Sequence, residues 1–204
     1  MECLNGVTIE ESKYDFILIK RGKEEMVCSK DELRQYIEMD AEALEINPKK
    51  CFWGNEVWRF QKSLRLYEYA LNTHKSKLVK LYRKVIYRYW MMKLGFVIPP
   101  NVFGGGLRIN HFGNIVVNSE AKIGEWCDIH QGVNIGTDFE GGPKIGDHVW
   151  IGPGAKLYGN IRIASGCAIG ANAVVNKSFN ERATIVGVPA YAINSKGNCY
   201  YDES

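Results

Sequence analysis

The 204-residue sequence predicts an α+β protein: a mostly helical region over 1–100, a parallel β-helix over 101–193 and a tail over 194–204. Three observations predict it. Glycine is split four to seventeen between residues 1–100 and 101–204. Aliphatic residues in the second half recur every six positions. Charge is partitioned too: net −6 over residues 1–48, net +10 over 49–100 and net −1 over 101–204, which sum to the formal +3. One composition describes the helices and another the repeat.

The first half reads as an arm followed by three helices. Residues 7–28 hold short apolar runs and an Arg21-Gly22 turn, fitting a hairpin or irregular arm. From Ser29 the pattern turns helical, with Ser29 or Asp31 as the cap and Leu33, Tyr36, Ile37 and Leu44 at helical spacing. Asn47-Pro48 closes it. Two more amphipathic helices follow, over 55–72 and 76–94, before Gly95 and Pro99-Pro100. Residues 75–93 carry seven lysines and arginines and no acid. Such a helix is either a solvated face answering the acidic first segment or a contact for an anionic carrier or membrane surface.

The second half is a repeat, and a fixed period decides the architecture. Val117, Ile123, Ile129 and Ile135 are followed, after four inserted residues, by Ile145, Ile151, Leu157, Ile163, Ile169 and Val175. A second track of small or apolar residues lies four positions later: Ala121, Cys127, Val133, Val149, Ala155, Ile161, Cys167 and Ala173. Glycine follows the aliphatic at 124, 136, 146, 152 and 170, where it is expected to turn a sharp corner. Helices need period 3.6 and flat strands period 2, so neither fits. Stacked coils bury both tracks in one column, with hydrogen bonds between coils.

Several classes are excluded. Apolar residues at 46% and charged residues at 24% are ordinary globular values, not those of a disordered chain. No uncharged apolar stretch is long enough to span a bilayer. No basic-then-apolar leader opens the sequence, and a cytoplasmic location is expected. Six cysteines without a C-x-x-C pair argue for buried thiols rather than disulfides or a zinc ribbon. A sequence pI near 8.4 with no nucleic-acid motif argues against nucleic acid as a partner.

The hexapeptide pattern aliphatic-Gly-x-x-small-x resembles the left-handed β-helix of the hexapeptide acyltransferases, in which three hexads make one coil. LRINHFGNIVVNSEAKIGEWCDIHQGVNIG, KIGDHVWIGPGAKLYGNIRIASGCAIGANAVVNKS and the closing IVGVPAYAI resemble the serine acetyltransferase branch. The likeness covers roughly 30–193. It implies an acetyl-coenzyme A-dependent O-acetyltransferase, requiring no metal, that assembles as a homotrimer or, through its helical half, a hexamer. Each site would then lie between neighbouring columns.

Within that resemblance His111 matches the main catalytic histidine, and it stands six before Val117, where the repeat calls for an aliphatic. An imidazole is largely neutral at pH 7 and can accept a hydroxyl proton. Backbone N–H groups near Gly136 are expected to hold the oxyanion. Coenzyme contacts carry over to Gly136 and Thr137, to Pro153 and Gly154, and one coil later to Ala171 and Asn172, with Lys177 pairing a coenzyme phosphate. Asp128, Gln131 and Asn134 read as outward groove positions, and Trp126 and Trp150 as outward residues that an interface would cover. His111, His130 and His148 occupy different repeat positions, which argues against a shared metal.

Three departures bear on the acceptor. Asn110 stands where the branch has an aspartate, and Gly142 where it has a second histidine, in a shorter loop. The aspartate that contacts serine has no clear counterpart, Asp40 and Glu45 being the candidates. A sugar of a surface polysaccharide is therefore the favoured acceptor. L-serine, in cysteine biosynthesis, is the alternative, and a non-catalytic scaffold a further one.

Overall fold

The computed structural model describes residues 26–47 and 55–199. The arm expected over 7–28 falls almost wholly outside them. The three helices are α1 (Lys30–Ala43), α2 (Glu56–Asn72) and α3 (Lys77–Leu94). Each begins at a side-chain cap, because the first turn's N–H groups have no helical partner. Ser29 Oγ accepts from Glu32 N at 3.1 Å, and Glu32 returns the bond to Ser29 N at 2.9 Å. Asn55 and Ser76 cap α2 and α3 in the same way. Gly95 ends α3 at φ 71, a left-handed conformation that costs a glycine little.

The repeat builds a three-faced column. One face stacks the strands Phe96–Val97, Ile115–Val117, Asn134–Gly136, Lys156–Tyr158 and Val174–Val175 in parallel. A second stacks Lys122–Ile123, Lys144–Ile145 and Arg162–Ile163. The third stacks Arg108–Ile109, Asp128–Ile129, Trp150–Ile151, Ala168–Ile169 and Thr184–Val186, and closes with Tyr191–Asn194 running antiparallel. The period of six points to about four coils from 109; the first face holds five parallel strands because pairing already starts at Phe96. Every member of both tracks is buried, from Val117 and Ala121 to Ala173 and Val175. That column is continuous with the core of the helices, where Phe60 of α2 meets Phe96 edge-on at 5.0 Å.

Four of the five repeat glycines, 124, 146, 152 and 170, act through space rather than dihedral freedom. A Cβ on Gly152 would sit 2.7 Å from the Trp150 ring and 2.8 Å from the Ile169 carbonyl oxygen. None of Gly124, Gly136, Gly146, Gly152 and Gly170 has positive φ. The left-handed residue comes three positions after the inward aliphatic, as at Gly132, Gly154 and Asn172 on one edge. Trp126 and His148 adopt it on another, at φ 55 and 56.

A first coil has no coil beneath it, so its backbone groups need other partners. Polar side chains of the helices supply them. Arg65, fully buried, donates to the carbonyls of Phe103 and Gly104 and to both oxygens of Asp40. It also pairs with Glu68 at 3.1 Å. Asp40 accepts from Leu107 N, Gln61 donates to Leu107 O, and Glu68 accepts from Asn101 N. Burial disfavours the charged guanidinium, but Asp40 and Glu68 more than offset this and raise its pKa. The helices thus cap the column's N-terminal end with a buried ionic network. Asp40 is committed to that network and cannot also face a substrate.

Candidate active site

The strand Arg108–Ile109 aligns with Asp128–Ile129, so the inward slot of the first coil is Ile109 and not His111. Eight residues separate Ile109 from Val117, two more than a hexad. The extra length makes a wide corner at 110–114, with Gly113 at φ 119 and Asn114 at φ 35. His111 stands exposed on it. The register reading of His111 as an inward replacement is therefore corrected: it is an insertion on the rim.

That rim is one edge of the column. Because the third face is in register, His111, Gln131, Pro153 and Ala171 each lie two positions after an inward isoleucine. Backbone bonds climb the edge: Gly132 N to Gly113 O at 3.3 Å, Gly154 N to Gln131 O at 2.9 Å, Asn172 N to Pro153 O at 2.9 Å. Pro153-Gly154 and Ala171-Asn172 share this edge with His111, as their one-coil interval implies. Gly136 and Thr137 do not. They follow the first face and lie on the next edge, together with Lys177. A three-residue strand separates the two edges, about 10 Å at 3.3 Å per residue. Lys177 extends over the Phe179 ring at 5.7 Å.

Behind His111 sits a polar cluster. Asn110 Nδ2 donates to Asp128 Oδ1 at 2.5 Å and lies 3.2 Å from His130 Nε2. Asp128 Oδ1 is 3.5 Å from His130 Nε2, and Arg108 Nε approaches Asp128 Oδ2 at 3.9 Å. Arg108 in turn pairs with Glu45 at 3.5 Å. Asp128 keeps its outward position beside the inward Ile129, but Asn110, Arg108 and His130 cover it to 5% exposure. Burial pushes its carboxyl up to about 6, against the opposing pull of Arg108 and Asn110. Burial also lowers the His130 imidazole pKa, helped by the nearby His111 and Arg108. His130 packs edge-on against Trp150 at 5.1 Å.

Arg108 is the site residue that the repeat pattern conceals, since it occupies an ordinary outward position of a hexad; Asp128 is legible as a groove position, but its burial is not. Asn134 remains exposed. Trp126 and Trp150 are already half-covered within the chain, by Gly106 and His148 and by Gly152 and His130. Among the described residues, no group of three His, Cys, Asp or Glu side chains could hold a metal ion.

The inserted loop is tight. Asp138 bridges Gly141, Phe139 is fully exposed, and Gly142 is buried. A Cβ at 142 would lie 2.8 Å from the backbone of Glu120, so no larger side chain fits there without movement.

Comparison with known proteins agrees with the fold and the repeat. Residues 142–177 match the family model described as bacterial transferase hexapeptide (six repeats). A serine acetyltransferase from Staphylococcus aureus (strain Mu50) is 41% identical over 108 residues, covering 50% of this chain and 51% of the relative. The chain thus spans about half the length of the curated relatives it matches. The solved soybean serine acetyltransferase apoenzyme superposes with a TM-score of 0.67 at 25% identity, covering 80% of this chain and 70% of that one. The Neisseria gonorrhoeae serine acetyltransferase gives 0.65 at 26%, covering 82% and 68%. Fold and repeat together define a left-handed parallel β-helix of the hexapeptide-repeat class. Within that class the chain is serine acetyltransferase-like.

Proposed function

We propose that this protein transfers an acetyl group from acetyl-coenzyme A to a hydroxyl, and that the hydroxyl is that of L-serine. The observation that carries the reading is the placement of His111. It is exposed on the same edge as Pro153-Gly154 and Ala171-Asn172, in a chain that is 41% identical over 108 residues to a protein named serine acetyltransferase. His111 accepts the hydroxyl proton as the oxygen attacks the thioester carbonyl. The C–S bond then breaks, and coenzyme A leaves with the proton as its thiol. Small residues along the edge let an extended pantetheine arm lie close to the backbone.

Gly136, Thr137 and Lys177 lie one edge away. A homotrimer that set one column's His111 edge against its neighbour's next edge would bring them into one site shared between two copies. The product would be O-acetylserine, a cysteine precursor. The names of the relatives support this acceptor over the polysaccharide sugar that the short loop favours. The sugar remains a second reading on one observation: the packed Gly142 leaves no room for a histidine at that point of the short loop.

The test is thiol release with a panel of hydroxyl acceptors. Turnover with L-serine is expected, falling by roughly 10²–10⁴-fold in His111→Ala with unfolding unchanged. Turnover with hexoses but not with serine would transfer the assignment to the second reading. Full activity of His111→Ala would overturn the role of that residue.

A further inference from the structure

The helix α3 presents an apolar stripe to solvent. Leu78, Tyr82, Val85, Tyr89 and Met92 follow one another at spacings of four, three, four and three. They are 79%, 60%, 59%, 58% and 71% exposed. The opposite face, with Tyr87, Met91 and Leu94, packs on the core. At about 100° per residue, one side of the stripe carries a row of cations. Lys77, Lys84 and Arg88 lie along one flank. On the other side Lys93 pairs with Glu56 of α2 at 4.0 Å, and Arg83 lies further round, in an open groove against α2 that Arg59, Lys62 and Trp90 also line. No acid occurs between residues 75 and 93.

This is the pattern of a helix that lies in a bilayer interface: apolar residues below, lysines and arginines at headgroup level. No helix among the described residues is long and apolar enough to cross a membrane, so contact would be along the surface. A second copy fits this face less well. Two-fold packing of α3 on α3 would bring the same cations together across the seam. An anionic surface meets them with opposite charge.

We propose that α3 is a membrane-docking helix that binds bilayers containing anionic phospholipid. The stripe inserts between headgroups, and the flanking cations, with Arg59 and Lys62, engage lipid phosphates. This reading stands apart from acetyl transfer.

The test is cosedimentation of the full chain with vesicles of phosphatidylcholine alone or of equal phosphatidylcholine and phosphatidylglycerol. Binding to the anionic vesicles is expected to be at least about tenfold tighter, and to weaken with salt. Val85→Asp/Tyr89→Asp, at two solvent-facing positions, should lose it while the circular dichroism spectrum is unchanged. Equal binding to both vesicles, or none, would overturn the proposal. So would vesicle binding that survives the double substitution. If the double variant instead sediments as a smaller oligomer and neither form binds vesicles, a second copy covers the stripe and the membrane reading fails.

Discussion

Asn110 donates to Asp128 across adjacent coils, at 2.5 Å, directly behind the exposed His111. The pair joins residues eighteen apart through one step of the column. It gives a buried carboxyl a donor that a carboxylate at position 110 could not provide. Asn110 is thus better matched to Asp128 than the aspartate of the serine acetyltransferase branch would be.

The carboxyl of Asp128 has a sign-definite effect on stability. Its pKa is about 6 in the folded chain and 3.8 ordinarily, burial being the main cause. Below 3.8 it is protonated in both states and costs nothing. Between the two values the folded chain holds a proton that the unfolded chain has released, so stability falls as pH rises. Above about 6 the full cost, of order 3 kcal/mol, is present. Asp128→Asn should therefore match the parent in urea unfolding near pH 4 and exceed it near pH 7. Equal unfolding midpoints at both pH values would show that the carboxyl is not penalised by burial.

The period of six made the column legible, because an aliphatic that must point inward leaves a mark at every turn. Val117 through Val175 are buried as the spacing requires. The same spacing misplaced His111. A corner two residues longer than a hexad breaks the count, and only the Gly113-Asn114 pair marks the break. Glycines 124, 146, 152 and 170 were legible as necessary but not as to cause, since close approach and left-handed dihedrals both select glycine. The cap was hidden because an arginine within an amphipathic helix looks like surface. Nothing local distinguishes Arg65 from Arg59, yet one is fully buried and the other lines an open groove.

Arg65 is accordingly the helical residue whose loss should cost most. Arg65→Leu leaves Asp40 and Glu68 buried without their cation and strips donors from the carbonyls of Phe103 and Gly104. Breaking a buried ionic network on one side costs about 3–5 kcal/mol. Arg65→Lys keeps the charge but not the forked donor geometry, and should recover part of the loss. Urea unfolding of both variants measures it. A change within about 0.5 kcal/mol for Arg65→Leu would mean the cap is not held by these bonds.

Two repeat glycines separate packing from chain freedom. Gly152→Ala would drive its methyl into the Trp150 ring and the Ile169 carbonyl, at 2.7 and 2.8 Å. Gly136→Ala meets its nearest neighbours only at 3.8 Å. Neither has positive φ, so dihedral strain is equal and small. Overpacking costs about 1–3 kcal/mol, and thermal unfolding should show that loss at 152 and almost none at 136. Equal losses would return the corner-turning explanation.

Gln131 shares the edge with His111 and Pro153, and its Oε1 is buried without a hydrogen-bond partner among the described residues. An unpaired buried acceptor costs about 1–3 kcal/mol, and an N–H donor from a bound ligand would relieve it. The amides of a pantetheine arm are such donors. Gln131→Leu removes the acceptor at similar volume, so the free protein should gain about 1 kcal/mol in urea unfolding. If the acetyl donor lies along this edge, its KM should rise by roughly tenfold while kcat changes little, because the lost bond is present in the bound and transition states alike. Increased stability with an unchanged KM would place the donor elsewhere on the column. A fall in kcat alone would instead assign Gln131 to the step that His111 performs.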